Sequence, residues 1–375
     1  MMIYFDNAAT TALDPAVLEA MLPYFKTHYG NPSSLHGFGR ETRTAIEKSR
    51  KQIATLMGAK PGEIFFTSCG TESTNTVLFG AVRDLGCRHI ITSPIEHHAT
   101  LHTAEFLAAQ GACTLHLVQL TQEGHIDYVD LERLLSENSG EKIVSLMHAN
   151  NELGNLTDVH LVGDLCRRYR AYFHTDAVQT LGHFPLDVST FQPDFLSASA
   201  HKFHGPKGSG ILFMRAGIAI KPLIHGGSQE RNMRSGTENV ANTVGFAKAL
   251  ELAVQHQAED EVYIRSLKQY LKESLQKQWP EIEFNGDTSP QSLYTVLNVA
   301  FPKTERTEML SMNLDIAGIA VSGGSACSSG VGTGSHVIRA AFPHRACVPL
   351  RFSFSKHNTF EEIDTLLQKL IEFTI

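Results

Sequence analysis

The sequence predicts an α/β protein built on a mainly parallel β-sheet with helices on both faces. Three observations carry that expectation. From Glu63 onward, short runs rich in β-branched and aromatic residues alternate with helical segments, the spacing of successive strand–helix–strand units. The chain has 375 residues, 42% of them hydrophobic and 19% charged, enough for a large core and a second, smaller domain. No repeat, low-complexity tract or long disordered linker interrupts it.

Asp14 and Pro15, ahead of Val17, Leu18, Met21, Leu22 and Phe25, predict a capped helix that ends before Gly30. A second helix is expected from Gly39 to Met57, stopped by Gly58. The strand candidates that follow are Ile64 to Thr67, Ile90 to Thr92, Leu115 to Val118, Ile143 to Leu146, Ala171 to Phe173 and Phe195 to Ser197. A long helical segment between Gly245 and Gln278 leads out of this domain. The remainder combines a strand at Tyr294 to Asn298 with helices near Thr304 to Met312 and Phe360 to Phe373. These predict a smaller α+β domain, with residues 15–255 in the large domain and residues 1–14 and 256–375 in the small one.

With 32 basic and 39 acidic residues the formal net charge is −7, which argues against a general phosphate-backbone binder. No apolar run reaches the roughly 18 residues of a membrane span, and no signal-like pattern opens the chain. Neither a nucleic-acid nor a membrane partner is therefore expected, and the cytoplasm is the expected location. Six cysteines, none in CxxC spacing, argue against a disulfide framework and a cysteine zinc site.

An open parallel sheet binds its ligand beyond the carboxyl ends of its strands, and the chemically distinctive residues cluster there. Lys202 follows the small residues Ser197, Ala198, Ser199 and Ala200. It is badly sited for a salt bridge and well sited for an imine, the alternative being an exposed loop lysine. Asp176 ends another strand, with Gln179 three residues on. Alone, Asp176 reads as a turn or capping acid. Lysine and acid together suggest pyridoxal phosphate, which needs an amine for its aldehyde and an anion facing its ring nitrogen. The segment Thr67 to Ser73, including Gly70 and Thr71, follows a strand and opens a helix. Its free N–H groups and hydroxyls suit a phosphate, although an ordinary helix cap is the alternative.

His97 lies between a strand and a helix, where it could stack on a cofactor ring, shuttle protons or simply cap the helix. His98 and His102 have the i, i+4 spacing of a zinc pair, but no third ligand is evident and no metal is expected. Asn150 to Gly154 reads either as a polar turn or as an amide, Asn151, on a ring substituent. Cys327 stands alone among glycines and serines from Val321 to Ser335. Such surroundings suit a reactive, mobile thiol better than a core one, the alternative being an incidental loop cysteine. Arg351 interrupts the apolar run Val348 to Phe354, where its fork suits a substrate carboxylate or a structural ion pair. The glycine-rich loop His225 to Thr237 could contact phosphate, substrate or a second subunit.

Taken together, Tyr4 to Thr11, Asn31 to His36, Thr67 to Asn75, Glu96 and His97, Asn150 to Gly154, Asp176 to Gln179, His201 and Lys202, Arg231 to Thr237, Ser325 to Cys327 and Arg351 closely resemble the cysteine desulfurases of the NifS/IscS type, in the class V aminotransferase group. The resemblance runs from the first residues to the last strand, with the motifs in the family's order. It implies pyridoxal-phosphate fold type I, with a mainly parallel seven-stranded sheet in the large domain, and a homodimer. It further implies that Lys202 binds the cofactor aldehyde, Asp176 its pyridine nitrogen, and Gln179 and Asn151 its phenolic oxygen. His97 would stack on the ring, while Gly70, Thr71, Ser199 and His201 would hold the phosphate. Thr237 would reach the phosphate of the neighbouring subunit, and Arg351 with Asn151 would take the substrate carboxylate.

Cys327, in the small domain with Arg351, would be the nucleophile that takes sulfur from L-cysteine, leaving L-alanine and a persulfide for a sulfur-acceptor protein. Two departures stand out. Many members have Gly-Ala-Thr where this chain has Cys69, Gly70 and Thr71, and the stretch Gly330 to Gly334 is richer in glycine than in many housekeeping members. A selenocysteine lyase or carbon–sulfur lyase would share Lys202 and Asp176, but Cys327 favours desulfuration. A non-catalytic sulfur relay would not need Lys202, Asp176, His97 and Arg351 together.

Overall fold

The structure, a computed structural model, describes residues 2–323 and 334–374. Its N-terminal strand β1 (Ile3–Tyr4) is followed by helices α1 (Pro15–Lys26) and α2 (Gly37–Leu56). The Asp14 side chain accepts the Ala16 N–H at 2.8 Å and Pro15 fills the first turn, so α1 starts where the sequence predicts. Strand β2 (Ile64–Thr67) and helix α3 (Gly70–Arg83) begin the alternation. It continues through β3 (His89–Thr92), α4 (His98–Ala109), β4 (Thr114–Leu117), α5 (Tyr128–Glu137), β5 (Lys142–Ser145) and α6 (Val159–Arg168). Strand β6 (Tyr172–Asp176), the short α7 (Val188–Phe191), β7 (Phe195–Ser199) and β8 (Gly210–Met214) complete the large sheet.

That sheet has seven strands in the order β2-β8-β7-β6-β5-β3-β4. The pairs β3–β4, β3–β5, β5–β6 and β6–β7 are parallel, whereas β8 runs antiparallel to both β7 and β2. The six strands foreseen from the sequence are present, shifted by a few residues at their ends. The seventh, β8, is the antiparallel one. Apolar side chains fill both faces: Ile53, Ile91, Val144, Phe173 and Leu196 belong to one buried cluster, Val77, Ile90, Ile143 and Phe195 to another. At roughly 25 cal/mol per Å² of apolar area removed from water, such two-sided burial is the main stabilisation of the layer.

Helix α8 (Val240–Gln278), 39 residues long, carries the chain away from the large sheet. Strands β9 (Glu283–Phe284), β10 (Val296–Pro302), β11 (Ile319–Ala320) and β12 (Cys347–Ser353) follow, with helices α9 (Glu305–Glu308), α10 (Leu310–Ile316), α11 (His336–Ala341) and α12 (Phe360–Thr374). An antiparallel β12-β10-β9 sheet packs with α8 and α12 around Leu267, Leu271, Leu297, Phe352 and Leu366. Ile3 and Phe5 join that same cluster, and β1 pairs in parallel with β11. The N-terminal segment is thereby carried to the second sheet before α1 returns to the first.

Candidate active site

The strand ends converge on one cavity of about 300 Å³, lined by Gly70, Thr71, His97, Asn151, Asp176, Gln179, Ser199, His201, Lys202 and Arg351. Its position follows from the topology, because β6 ends at Asp176 and β7 at Ser199, side by side in parallel register. Below them on the same sheet face lies a buried polar chain. Ser145 Oγ and Ser197 Oγ lie 2.8 and 2.9 Å from the two ring nitrogens of His174, and Thr74 donates to Ser197 at 3.1 Å. This chain ties three site strands to α3, because buried polar groups left unpaired are costly.

Lys202 ends a short 3₁₀ turn after β7, and its Nζ donates to the carbonyls of Ala8 and Ala9 at 2.6 and 2.8 Å. Sequence reasoning missed these partners, since backbone carbonyls leave no side-chain signal. Asp176 is buried and accepts the Val178 N–H at 2.9 Å. Burial pushes its carboxyl up to about 6, although the Val178 N–H and the Lys202 charge pull the other way. A cationic partner would favour its ionised form. Gln179 donates to the Ala8 carbonyl at 3.0 Å.

Helix α3 begins at the cavity wall, where Gly70 and Thr71 line it. Its N-cap, Cys69, makes no side-chain cap bond, so the first-turn N–H groups are not capped in that way. A Cβ on Gly70 would stand 2.6 Å from Val178 Cγ2, so a larger residue here needs the Val178 side chain to shift. Ser199 and His201 close this side, the latter 3.1 Å from Thr10 Oγ1. Thr237 does not line this cavity; it lines another of about 220 Å³ with Ser68, Glu230 and Arg234.

His97 is the N-cap of α4, its Nδ1 accepting the Ala99 N–H at 3.1 Å. Both the capping alternative and the cavity placement therefore hold. Burial, with the Lys202 charge, pushes its pKa down to about 4, leaving a neutral ring. His98 is paired with His102 at 2.9 Å and packs against His336, with ring centroids 4.4 Å apart. His336, which sequence reasoning did not single out, also lines the cavity. Arg351 is buried; its Nη2 donates to Asp6 at 2.8 Å and to Ser322 at 3.1 Å, and its Nη1 to the Asn151 carbonyl at 2.9 Å. The structural ion pair is real, yet Nε is a buried donor without a hydrogen-bond partner among the described residues. Cys327 lies outside the described residues.

Burial also pushes His148, His201 and His204 down to about 4 and His174 to about 3. In the unfolded chain such rings take up protons near pH 6.5. The unfolded state therefore binds more protons on acidification, and the stabilisation, present above pH 6.5, is lost as pH falls through 4. Glu96 and Asp176, raised by burial to about 8 and 6, act oppositely and lose their contribution as pH rises. Five rings outweigh two carboxyls, so thermal melts of the protein should show Tm falling by roughly 5 °C or more between pH 6.5 and 4.5. An unchanged Tm would contradict this.

The aminotransferase class-V family matches residues 3–366 of the chain. A cysteine desulfurase IscS of Dictyoglomus turgidum is 44% identical over 99% of this chain and 94% of its own length. A cysteine desulfurase IscS of Methanosarcina thermophila is 42% identical over 99% of this chain and 91% of its own. Among solved structures, a NifS-like protein superposes with a TM-score of 0.91 at 39% identity, covering 99% of both chains.

Proposed function

Because this chain belongs to the class-V aminotransferase family, we propose that it is a cysteine desulfurase using pyridoxal phosphate, which converts L-cysteine to L-alanine and leaves the sulfur as a persulfide on Cys327. One observation carries the reading: Lys202, Asp176, His97, the open end of α3 and Arg351 face a single cavity. The donor set fits the cofactor. A helix start without a side-chain cap, with the small Gly70 and the Thr71 hydroxyl on the cavity wall, suits its phosphate, and a buried acid suits its ring nitrogen.

When bound, pyridoxal phosphate supplies an aldehyde for amines and an electron sink for the substrate α-carbon. Lys202 Nζ would hold that aldehyde and, when free of it, would move protons at the substrate α-carbon. Asp176, once ionised, would hold the ring nitrogen and keep it protonated. The neutral His97 ring would stack on the cofactor ring, Asn151 and Gln179 would hold its phenolic oxygen, and Gly70, Thr71, Ser199 and His201 would hold the phosphate. Arg351, with Asn151, orients the substrate carboxylate. The Cys327 thiolate attacks the substrate sulfur: an S–S bond forms, the C–S bond breaks, its electron pair stays on carbon, and protonation there releases alanine.

The partners proposed are a second copy of this chain and a sulfur-acceptor protein of iron–sulfur assembly or thiolation. The exposed apolar side chains Phe25, Tyr29, Leu35 and Phe38, with the Tyr29 and Phe38 rings stacked 5.8 Å apart, support pairing, and Thr237 would then reach the neighbour's phosphate. No helix among the described residues is long and apolar enough to cross a membrane; we place the reaction in the cytoplasm. Purified enzyme given L-cysteine and a thiol reductant should form alanine and sulfide in equal amounts. Formation of pyruvate and ammonia instead would point to a carbon–sulfur lyase, and turnover confined to L-selenocysteine would point to the selenium enzyme.

A further inference from the structure

Glu72 stands in the first turn of α3, one residue beyond Thr71. Its carboxylate also accepts the Ser68 N–H at 2.8 Å, which brings a full negative charge against the same backbone that offers its N–H groups to an anion. Left alone, that charge would oppose a phosphate bound at the helix end. Arg234 cancels it. The guanidinium Nε donates to Glu72 Oε1 at 3.0 Å, and Nη2 lies 3.5 Å from Oε2. Burial works against the charged carboxylate, yet the bonds from Arg234 and Ser68 still hold Glu72 below its usual range.

The chain goes to some length to bring Arg234 there. Glu230, Arg231 and Asn232 take three consecutive left-handed conformations, with φ of 43°, 56° and 67°, unfavourable for side chains other than glycine. The turn is held by Glu230, which receives Arg50 Nη1 and Nη2 and the Phe66 N–H, each at 2.8 Å. Phe66 lies in β2, the strand that runs into the α3 turn. Two acid–arginine pairs thus brace the strand and loop beneath the phosphate side of the cavity, and only the outer one bears on its charge.

We propose that Arg234 is a positioning residue for the cofactor phosphate, acting through Glu72 by neutralising the carboxylate next to the Gly70–Thr71 cradle. The inference rests on the reading that this cradle holds phosphate. It separates from mere loop architecture because it concerns charge: it affects a phosphorylated ligand and spares the same ring without phosphate.

The test compares rebinding of pyridoxal phosphate and of pyridoxal to enzyme stripped of cofactor and release of cofactor from holoenzyme, followed by visible absorbance. Arg234→Gln should weaken pyridoxal phosphate about tenfold, or about 1.4 kcal/mol, and leave pyridoxal unchanged. Adding Glu72→Gln to that variant should restore affinity, and Glu72→Gln alone, which does not depend on the Arg234 variant folding, should bind pyridoxal phosphate at least as tightly as the unaltered protein. Equal weakening of both ligands, no recovery in the double variant, or weaker binding by Glu72→Gln would overturn the proposal. Gly70→Val reports on the cradle itself: it should weaken pyridoxal phosphate far more than pyridoxal. An equal effect on both would overturn the cradle reading instead.

Discussion

Replacing Lys202 with alanine is expected to abolish the visible absorbance of the purified enzyme and to lower alanine and sulfide production from L-cysteine by about 10³-fold or more. Lys202 is the only lysine among the described residues that line the cavity. The other cation there, Arg351, is a guanidinium and offers no amine for an aldehyde. The substitution removes the bonds to the Ala8 and Ala9 carbonyls, but these are made by a polar head at the cavity edge and not by a packed core group. The variant should therefore fold, with far-UV circular dichroism unchanged. A folded variant that kept both colour and turnover would remove Lys202 from the mechanism.

Cys327→Ala is expected to have the complementary phenotype, with the visible band retained and persulfide and sulfide formation reduced to background. The remaining thiols explain why no substitute is at hand. Burial pushes the Cys87 thiol up to about 12 and Cys166 higher still, and it raises Cys113 and Cys347. The attacking species is the thiolate, so none of these supplies one at neutral pH. Cys69 is the one thiol that lines the cavity among the described residues, which makes Cys69→Ala the natural companion. It should keep turnover within a few-fold, whereas a dead Cys69→Ala beside an active Cys327→Ala would transfer the nucleophile role to Cys69.

Asp176, Ser199, Lys202 and His97 were legible because each ends or shortly follows a strand whose local pattern is strong: Asp176 after Tyr172 to Thr175, Ser199 to Lys202 after Phe195 to Ala198, and His97 after Ile90 to Thr92. Strand β8 was not singled out. It follows Lys202 without an intervening helix and runs antiparallel, so it breaks the strand–helix alternation on which the other six depend. The pairing of β1 with β11 joins two-residue strands more than three hundred residues apart, a contact no local pattern encodes. Asp6 was visible only as part of an N-terminal motif; its bond to Arg351 depends on that pairing and on the Ser322–Arg351 bridge. The brace of Arg50, Glu230, Arg234 and Glu72 was hidden for a further reason. Its turn places non-glycine residues in left-handed conformations, where propensity argues for glycine.

In the proposed reaction, sulfur leaves L-cysteine for one particular side chain. Holoenzyme incubated with one equivalent of L-cysteine and no reductant, then alkylated, digested and analysed by mass spectrometry, tests it most directly. The peptide containing Cys327 should carry one additional sulfur atom, in an amount matching the alanine released, with no such gain on the peptides of the other five cysteines. Alanine released without added sulfur on Cys327, or the added sulfur found on another cysteine, would contradict it.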